Sequence, residues 1–192
     1  MPGLSIDPMT TALVLIDLQK GITRQSTTPH ASSDVIARAA RLAERFRAAG
    51  SLVVLVRVAF APDGSDRVRT PTDAQPPAMP PAADWSEIVP QLGPKPGDLV
   101  VTKHQWGAFY GTELELQLRR RGVRTIVIGG ISTNFGVEST ARDAYERSFA
   151  LVFVEDATAA MSAEAHAFAI ATIFPRLGLV RSTNDVLQAL GV

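Results

Sequence analysis

A small set of polar residues falls where apolar runs of this chain end. Asp17 closes the run TALVLID, Lys103 follows DLVVT, and Ser132, Thr133 and Asn134 follow RTIVIGG just before a helical stretch. An acid, an amine and a helix N-terminus meeting at one edge of a sheet could transfer a proton and hold a carboxylate or oxyanion on free N–H groups. The turn GGISTNFG adds to this: two glycines, small polar residues and then Gly136 suggest close approach of backbone to a ligand. Each signal also has a plainer reading. Asp17 could be a turn former or helix cap, Lys103 a solvated cation, and Gly136 a site of close helix packing, tolerated although glycine costs about 1 kcal/mol against alanine in a helix interior.

Other chemistries find less support. The histidines are His30, His104 and His166, and no pair has H-x-x-x-H or D-x-H spacing, so no metal site is expected. The chain has no cysteine, which excludes disulfides, thiolate metal sites, iron–sulfur clusters and a cysteine nucleophile. G-x-G-x-x-G, G-x-x-x-x-G-K-[ST] and G-x-S-x-G are all missing, so nucleotide binding and serine-hydrolase chemistry lose their usual support, and no cofactor is expected. Lys+Arg and Asp+Glu both total 19, giving zero formal charge and arguing against nucleic acid or anionic lipid as a partner. Residues 1–10 carry no basic segment, and the apolar run 12–16 is too short for a membrane span or signal core. A cytoplasmic protein acting on a small molecule is the expectation.

The elements that must position these residues alternate along the chain. Residues 11–17, 51–58, 98–102, 124–130 and 149–154 read as buried strands, with a short sixth at 178–181. Residues 33–49 read as a helix with Val35, Ala39, Leu42, Ala43 and Phe46 on one face and Gly50 as its stop. A helix opens at Thr112 with Glu115 completing a capping box, and Gly122 closes it. Residues 134–148 read as helical with Val137, Thr140, Ala141, Ala144 and Tyr145 inward. A helix over 162–174 is halted near Pro175, and Thr183 caps a last helix with Val186, Leu187 and Leu190 on its apolar face.

Strands that are apolar throughout have both faces covered, and strands separated by helices imply right-handed crossovers. The prediction is one domain over 1–192: a three-layer α/β/α, Rossmann-like fold with a six-stranded, mostly parallel sheet flanked by helices. Ligands in such sheets bind beyond the carboxyl ends of the strands at the topological switch point. One stretch breaks the rhythm: nine of the 13 prolines lie between Pro62 and Pro96. This excursion, about 61–97, is longer than an ordinary connection. It reads as an ordered segment packed over the site or a neighbouring subunit through Trp85, Ile88, Val89 and Leu92, with a disordered linker as the alternative.

Three segments together carry a resemblance. LVLIDLQKG around Asp17, VVTKHQWGAFYGTELELQLRRRGV around Lys103, and TIVIGGISTNFGVESTARDAYE before a strand ending VEDA resemble the isochorismatase-like hydrolase family of the cysteine hydrolase superfamily, from Thr11 to Leu190. The resemblance implies a six-stranded parallel sheet, a non-proline cis peptide between Ile131 and Ser132, and a homo-oligomer. Most of the family use an Asp–Lys–Cys triad. Asp17 matches the acid/base, Lys103 the lysine, and Gly136 the position of the cysteine, so the covalent amidase mechanism lacks its thiolate. The D-x-H metal motif of nicotinamidases has no counterpart in RVAFAPDG.

Isochorismatases proper are similar at that position, for they also have glycine there. Their reaction protonates the methylene carbon of a vinyl ether and traps the cation with water. On that pattern Asp17, protonated, is the general acid, Lys103 holds substrate or Asp17, and the turn amides bind a carboxylate. Lys103 would lower the pKa of Asp17 and burial would raise it. The trio Ser132-Thr133-Asn134 departs from the aromatic-Ala-His of isochorismatases and looks more like the amidase branch. The resemblance thus implies hydrolysis of a small, anionic metabolite without a covalent cysteine intermediate, an isochorismate-like vinyl ether leading. The alternatives are an amide or ester hydrolase with Ser132, Thr133 or Ser139 as substitute nucleophile, and a non-catalytic small-molecule-binding relative. Gln19, Trp106, Phe109, Ile131, Ser132, Thr133, Asn134 and Phe135 are the expected substrate-pocket residues. For Trp106 and Phe109 core packing is the competing reading.

Overall fold

Strand β1 (Thr11–Ile16) is buried along its whole length, and its side chains divide between two cores. Leu13 and Leu15 point to one face of the sheet, and Ala12, Val14 and Ile16 to the other. In the computed structural model, which describes residues 4–74 and 82–191, β1 lies inside a six-stranded sheet. Its companions are β2 (Leu52–Val58), β3 (Leu99–Lys103), β4 (Thr125–Ile131), β5 (Ala150–Ala159) and β6 (Leu179–Arg181). The order is β3-β2-β1-β4-β5-β6 and every neighbouring pair is parallel.

Among the described residues, seven α-helices accompany them: α1 (Lys20–Thr23), α2 (Ser32–Ala48), α3 (Leu114–Arg120), α4 (Glu138–Glu146), α5 (Ala163–Phe168), α6 (Phe174–Leu177) and α7 (Thr183–Leu190). Helix α2 buries Val35, Ala39, Leu42, Ala43 and Phe46, the face its spacing predicts, against Leu13, Leu15, Val53 and Leu55, and α7 adds Val186 and Leu190. On the other face α3 contributes Leu114 and Leu118, α4 Ala141 and Ala144, and α6 Phe174, which stacks on Phe153 with ring centroids 4.0 Å apart. Each fully buried aliphatic or aromatic side chain of these layers stabilises the fold by about 1.5–3 kcal/mol. This is the predicted three-layer α/β architecture, with the sheet parallel throughout.

Several local expectations are corrected. Helix α3 has no Thr112 capping box: the Thr112 hydroxyl donates to the Ala108 carbonyl at 2.5 Å, and Glu115 pairs with Arg147 at 2.9 Å. Before α4 the backbone makes a π-helical turn over Thr133–Val137, and Tyr145 is exposed rather than inward. A second π-helical turn, Ala169–Ile173, leads into α6, so the helix runs past Pro175, which sits in the first turn of α6 where its missing N–H is harmless. The last helix is capped by Ser182, boxed with Asp185, while Thr183 gives its N–H and hydroxyl to Asp156. Strand β5 runs to Ala159 because its pairing with β4 slips: Ile128 faces Phe153, but Gly130 faces Thr158. The residues between bulge outward, Glu155 among them.

Of the excursion, residues 75–81 lie outside the described residues. The part after them is anchored as expected, with Val89 and Leu92 buried in the core and Ile88 bridged to Gln19. Among the described residues no helix is long and apolar enough to cross a membrane.

Candidate active site

Strand order reverses between β1 and β4, and the carboxyl ends of these strands bring the polar residues together. Asp17 follows β1 directly, with its N–H on the Val56 carbonyl at 2.9 Å and a backbone φ of 53°, a left-handed conformation that aspartate tolerates better than most residues. Beside it, Gly130 has φ 124°, and a Cβ there would lie 2.1 Å from the Ile16 carbonyl oxygen, so only glycine fits. The Ile131–Ser132 peptide is cis.

Lys103 ends β3, reaches past β2 and is 1% exposed. Its Nζ donates to Asp17 Oδ2 at 2.8 Å and to the Gln105 carbonyl at 3.0 Å. Among the described residues, the other oxygen, Asp17 Oδ1, is buried without a hydrogen-bond partner. Burial pushes the Asp17 carboxyl above its ordinary range and outweighs the opposing charge and hydrogen bond of Lys103. An acid held this way favours its protonated form and has one oxygen free to give the proton away.

The π-helical turn carries Gly136 onto this pair. A Cβ on Gly136 would sit 2.9 Å from Asp17 Oδ2, 2.9 Å from Ile16 Cγ2 and 3.6 Å from the Trp106 carbonyl oxygen. Trp106 and Phe135 meet with ring centroids 4.9 Å apart and are 63% and 42% exposed, an aromatic pair at the open side of the site. Ser132 donates its hydroxyl to Asn134 Oδ1 at 2.9 Å, and Thr133, fully buried, pairs with His166 Nδ1 at 2.9 Å. Burial depresses the His166 pKa, partly offset by Glu155. Ile131 is buried in the core behind the turn.

Two expected pocket residues are structural instead. Gln19 is 0% exposed; its Nε2 donates to the Val58 and Trp85 carbonyls at 3.0 and 3.2 Å, and its Oε1 accepts from Val58 N at 2.8 Å. Both donors are used, so Gln19 braces the excursion against β2 and offers no N–H to a ligand. Phe109 packs in the core against Phe149, with Arg147 over its ring. Among the described residues, none of the hydroxyls of Ser132, Thr133 and Ser139 bonds to Asp17 or Lys103. His104 turns to the Ala59 carbonyl and Asp66. Sequence reasoning missed Gln105, whose carbonyl holds Lys103 and whose Nε2 pins the following loop through the Gly107 and Tyr110 carbonyls. Its only signal was its place two residues after Lys103.

Comparison with known proteins places the chain by family and fold. Residues 11–185 match the isochorismatase domain. The chain is 50% identical over 187 residues to the uncharacterized isochorismatase family protein YecD of Escherichia coli O157:H7, covering 97% of this chain and 100% of that one. It is 32% identical over 213 residues to the ureidoacrylate amidohydrolase RutB of Methylobacterium radiotolerans, covering 98% of this chain and 83% of that one. The solved structure of an isochorismatase family protein from Burkholderia thailandensis superposes with a TM-score of 0.94 at 47% identity, covering 98% of each chain.

Proposed function

The chain belongs to the isochorismatase family of hydrolases, and from that premise we propose that it hydrolyses a small, anionic metabolite with Asp17 as general acid and without a covalent enzyme intermediate. The observation that carries this reading is the approach of Asp17 to Gly136, where the family resemblance puts a cysteine. With no side chain at that position, the carboxylate takes the space a nucleophile would need. Burial and the unpartnered Oδ1 support a protonated acid facing the substrate.

The substrate class that uses such an acid is an enol ether of the isochorismate type. Asp17 delivers its proton to the terminal methylene carbon, the double-bond electrons form the new C–H bond, and an oxocarbenium ion remains. Lys103 steadies the carboxylate so formed. Water adds to the cation and returns a proton to Asp17, and the hemiketal collapses to pyruvate and the alcohol. The turn over 132–136 faces the substrate carboxylate, and Trp106 and Phe135 cover its apolar part.

The likeness to ureidoacrylate amidohydrolases favours a second reading, amide hydrolysis. It would need water or a hydroxyl in place of a thiolate, and the hydroxyls of Ser132 and Thr133 are engaged elsewhere. Purified protein incubated with isochorismate, with pyruvate followed by a coupled assay, tests the first reading. Ammonia release from a panel of small amides that includes ureidoacrylate tests the second. Pyruvate release supports the enol-ether reading; ammonia release without pyruvate replaces it with the amide reading.

A further inference from the structure

Behind the π-helical turn, on the side away from Asp17, three residues distant in sequence converge. His30 lies in the segment before α2, Glu155 on the bulge of β5, and His166 on α5. Glu155 Oε1 is 3.0 Å from His30 Nε2 and 3.4 Å from His166 Nε2, and one ligand atom from each residue lies within 4.8 Å of the other two. The two imidazoles meet edge to face, with centroids 5.9 Å apart.

We propose that His30, Glu155 and His166 form a binding site for a divalent transition-metal ion of the zinc class. Two imidazole nitrogens and one carboxylate are a donor set that suits zinc, whereas magnesium and calcium prefer oxygen ligands. Zinc–ligand bonds of about 2.0–2.1 Å in a tetrahedron put neighbouring ligand atoms roughly 3.3–3.4 Å apart. Of the two Glu155–histidine distances, 3.4 Å has that spacing and 3.0 Å is a few tenths of an ångström short of it. The third edge, His30 to His166, is within 4.8 Å, and His30 and Glu155, with side chains 23% and 34% exposed, are the members that would turn to close it.

The supporting contacts fit as well. A metal-bound histidine commonly uses its second nitrogen to donate to an oxygen, which fixes ring orientation and tautomer. His166 Nδ1 faces Thr133 Oγ1 at 2.9 Å, and a hydroxyl serves either tautomer: it accepts from Nδ1–H when Nε2 holds the ion and donates to Nδ1 when Nε2 carries the proton. A groove of about 670 Å³ has Glu155 in its lining, with Arg181, Ser182 and Asp185 beside it. The ion would join the segment before α2, β5 and α5, and through Thr133 it would brace the turn that carries Gly136.

The test is titration of the full chain, stripped with a chelator and then dialysed free of it, with Zn²⁺ by calorimetry, with Mg²⁺ as control. The expected result is one equivalent of Zn²⁺ bound, none of Mg²⁺, and a melting temperature that rises with Zn²⁺ concentration. One equivalent of Co²⁺ should give the visible absorption of a tetrahedral site. Thr133→Val, which removes only the support behind His166, should weaken Zn²⁺ binding by roughly 10- to 100-fold. Glu155→Gln and His30→Gln, both at part-exposed side chains, should weaken it further while the zinc-free melting curve keeps its cooperative form. Failure of the wild type to take up one equivalent overturns the site, as does uptake that survives both Glu155→Gln and His30→Gln.

Discussion

The Asp17 carboxylate lies where a side chain at position 136 would have to go: a Cβ on Gly136 would be 2.9 Å from Asp17 Oδ2. Real Cβ atoms do not come so close, so the glycine and the position of the acid are one arrangement. Gly136→Ala must displace the carboxylate, Ile16 or the π-helical turn, and overpacking of this kind costs about 1–3 kcal/mol. A melting temperature lower by roughly 2–12 °C in a thermal scan is the expected outcome. Gly136→Cys should lower activity and create no amidase. Ammonia released from small amides by that variant would mark an amidase pocket and overturn the enol-ether reading.

Asp17→Asn separates chemistry from folding. Asparagine accepts the left-handed φ of 53° and keeps an oxygen for Lys103, but it has no carboxyl proton. Pyruvate release from isochorismate should fall by about 10²–10⁴-fold, the usual worth of a positioned acid. The circular-dichroism melt should stay close to that of the wild type. Retained turnover would remove Asp17 from the role of acid.

The pH dependence has a definite sign. Burial raises the Asp17 pKa above its ordinary 3.8, with Lys103 opposing, and on the mechanism we propose the protonated form is the competent one. The rate kcat/KM should therefore be flat on the acid side and decline as pH rises through the raised pKa. Lys103→Met removes the downward influence, so the declining limb should move to higher pH; movement to lower pH would contradict the assignment. The same shift acts on stability: the contribution of this group is full below pH 3.8 and is lost as pH rises through its folded pKa.

Gln19→Ala should act on folding and hardly on substrate affinity. It takes from Val58 N and Val58 O their Gln19 partner and from Trp85 O one of its two donors, the other being the Gly21 N–H, and buried groups so stranded cost about 1–3 kcal/mol. Hydrogen exchange should quicken at Lys20, Gly21 and Val89, whose amides pair across the same junction. A raised KM with unchanged exchange would instead place Gln19 against the substrate.

Trp106→Ala is the converse case. Trp106 is 63% exposed, so its removal should change stability by no more than about 0.5 kcal/mol. KM for the substrate should rise several-fold with kcat nearly unchanged, the pattern of a contact made equally in ground and transition states.

Much of this was readable from the chain. Runs such as TALVLID and SLVVLVRV are apolar without alternation because both faces of a parallel sheet are covered, and that alone put Asp17 and Lys103 at strand ends on one edge. What failed was local competition. The Thr112 hydroxyl donates to the Ala108 carbonyl and accepts from the N–H of Leu114 rather than that of Glu115, and Glu115 turns to Arg147, so no capping box closes. The two π-helical turns leave no mark in apolar spacing. Gln19 and Phe109 sit beside the site in sequence, but one is consumed by backbone groups and the other by Phe149. His30 and Glu155, 125 positions apart, meet where the β4–β5 register shifts, a feature that apolar spacing does not record.

The left-handed backbone at Asp17 and the glycine at 130 divide the site into two kinds of part. The acid is located by main-chain geometry: β1 and β4 close on one another so tightly that no side chain at 130 could pry them apart. Trp106 and Phe135 stand on the exposed side of that frame, packed on one another. On the mechanism we propose, exchanging them should reshape the mouth and leave the proton donor where it was. Substrate choice can thus drift at the rim of this scaffold while the reactive centre stays put, which makes the rim the place to redesign for a new metabolite.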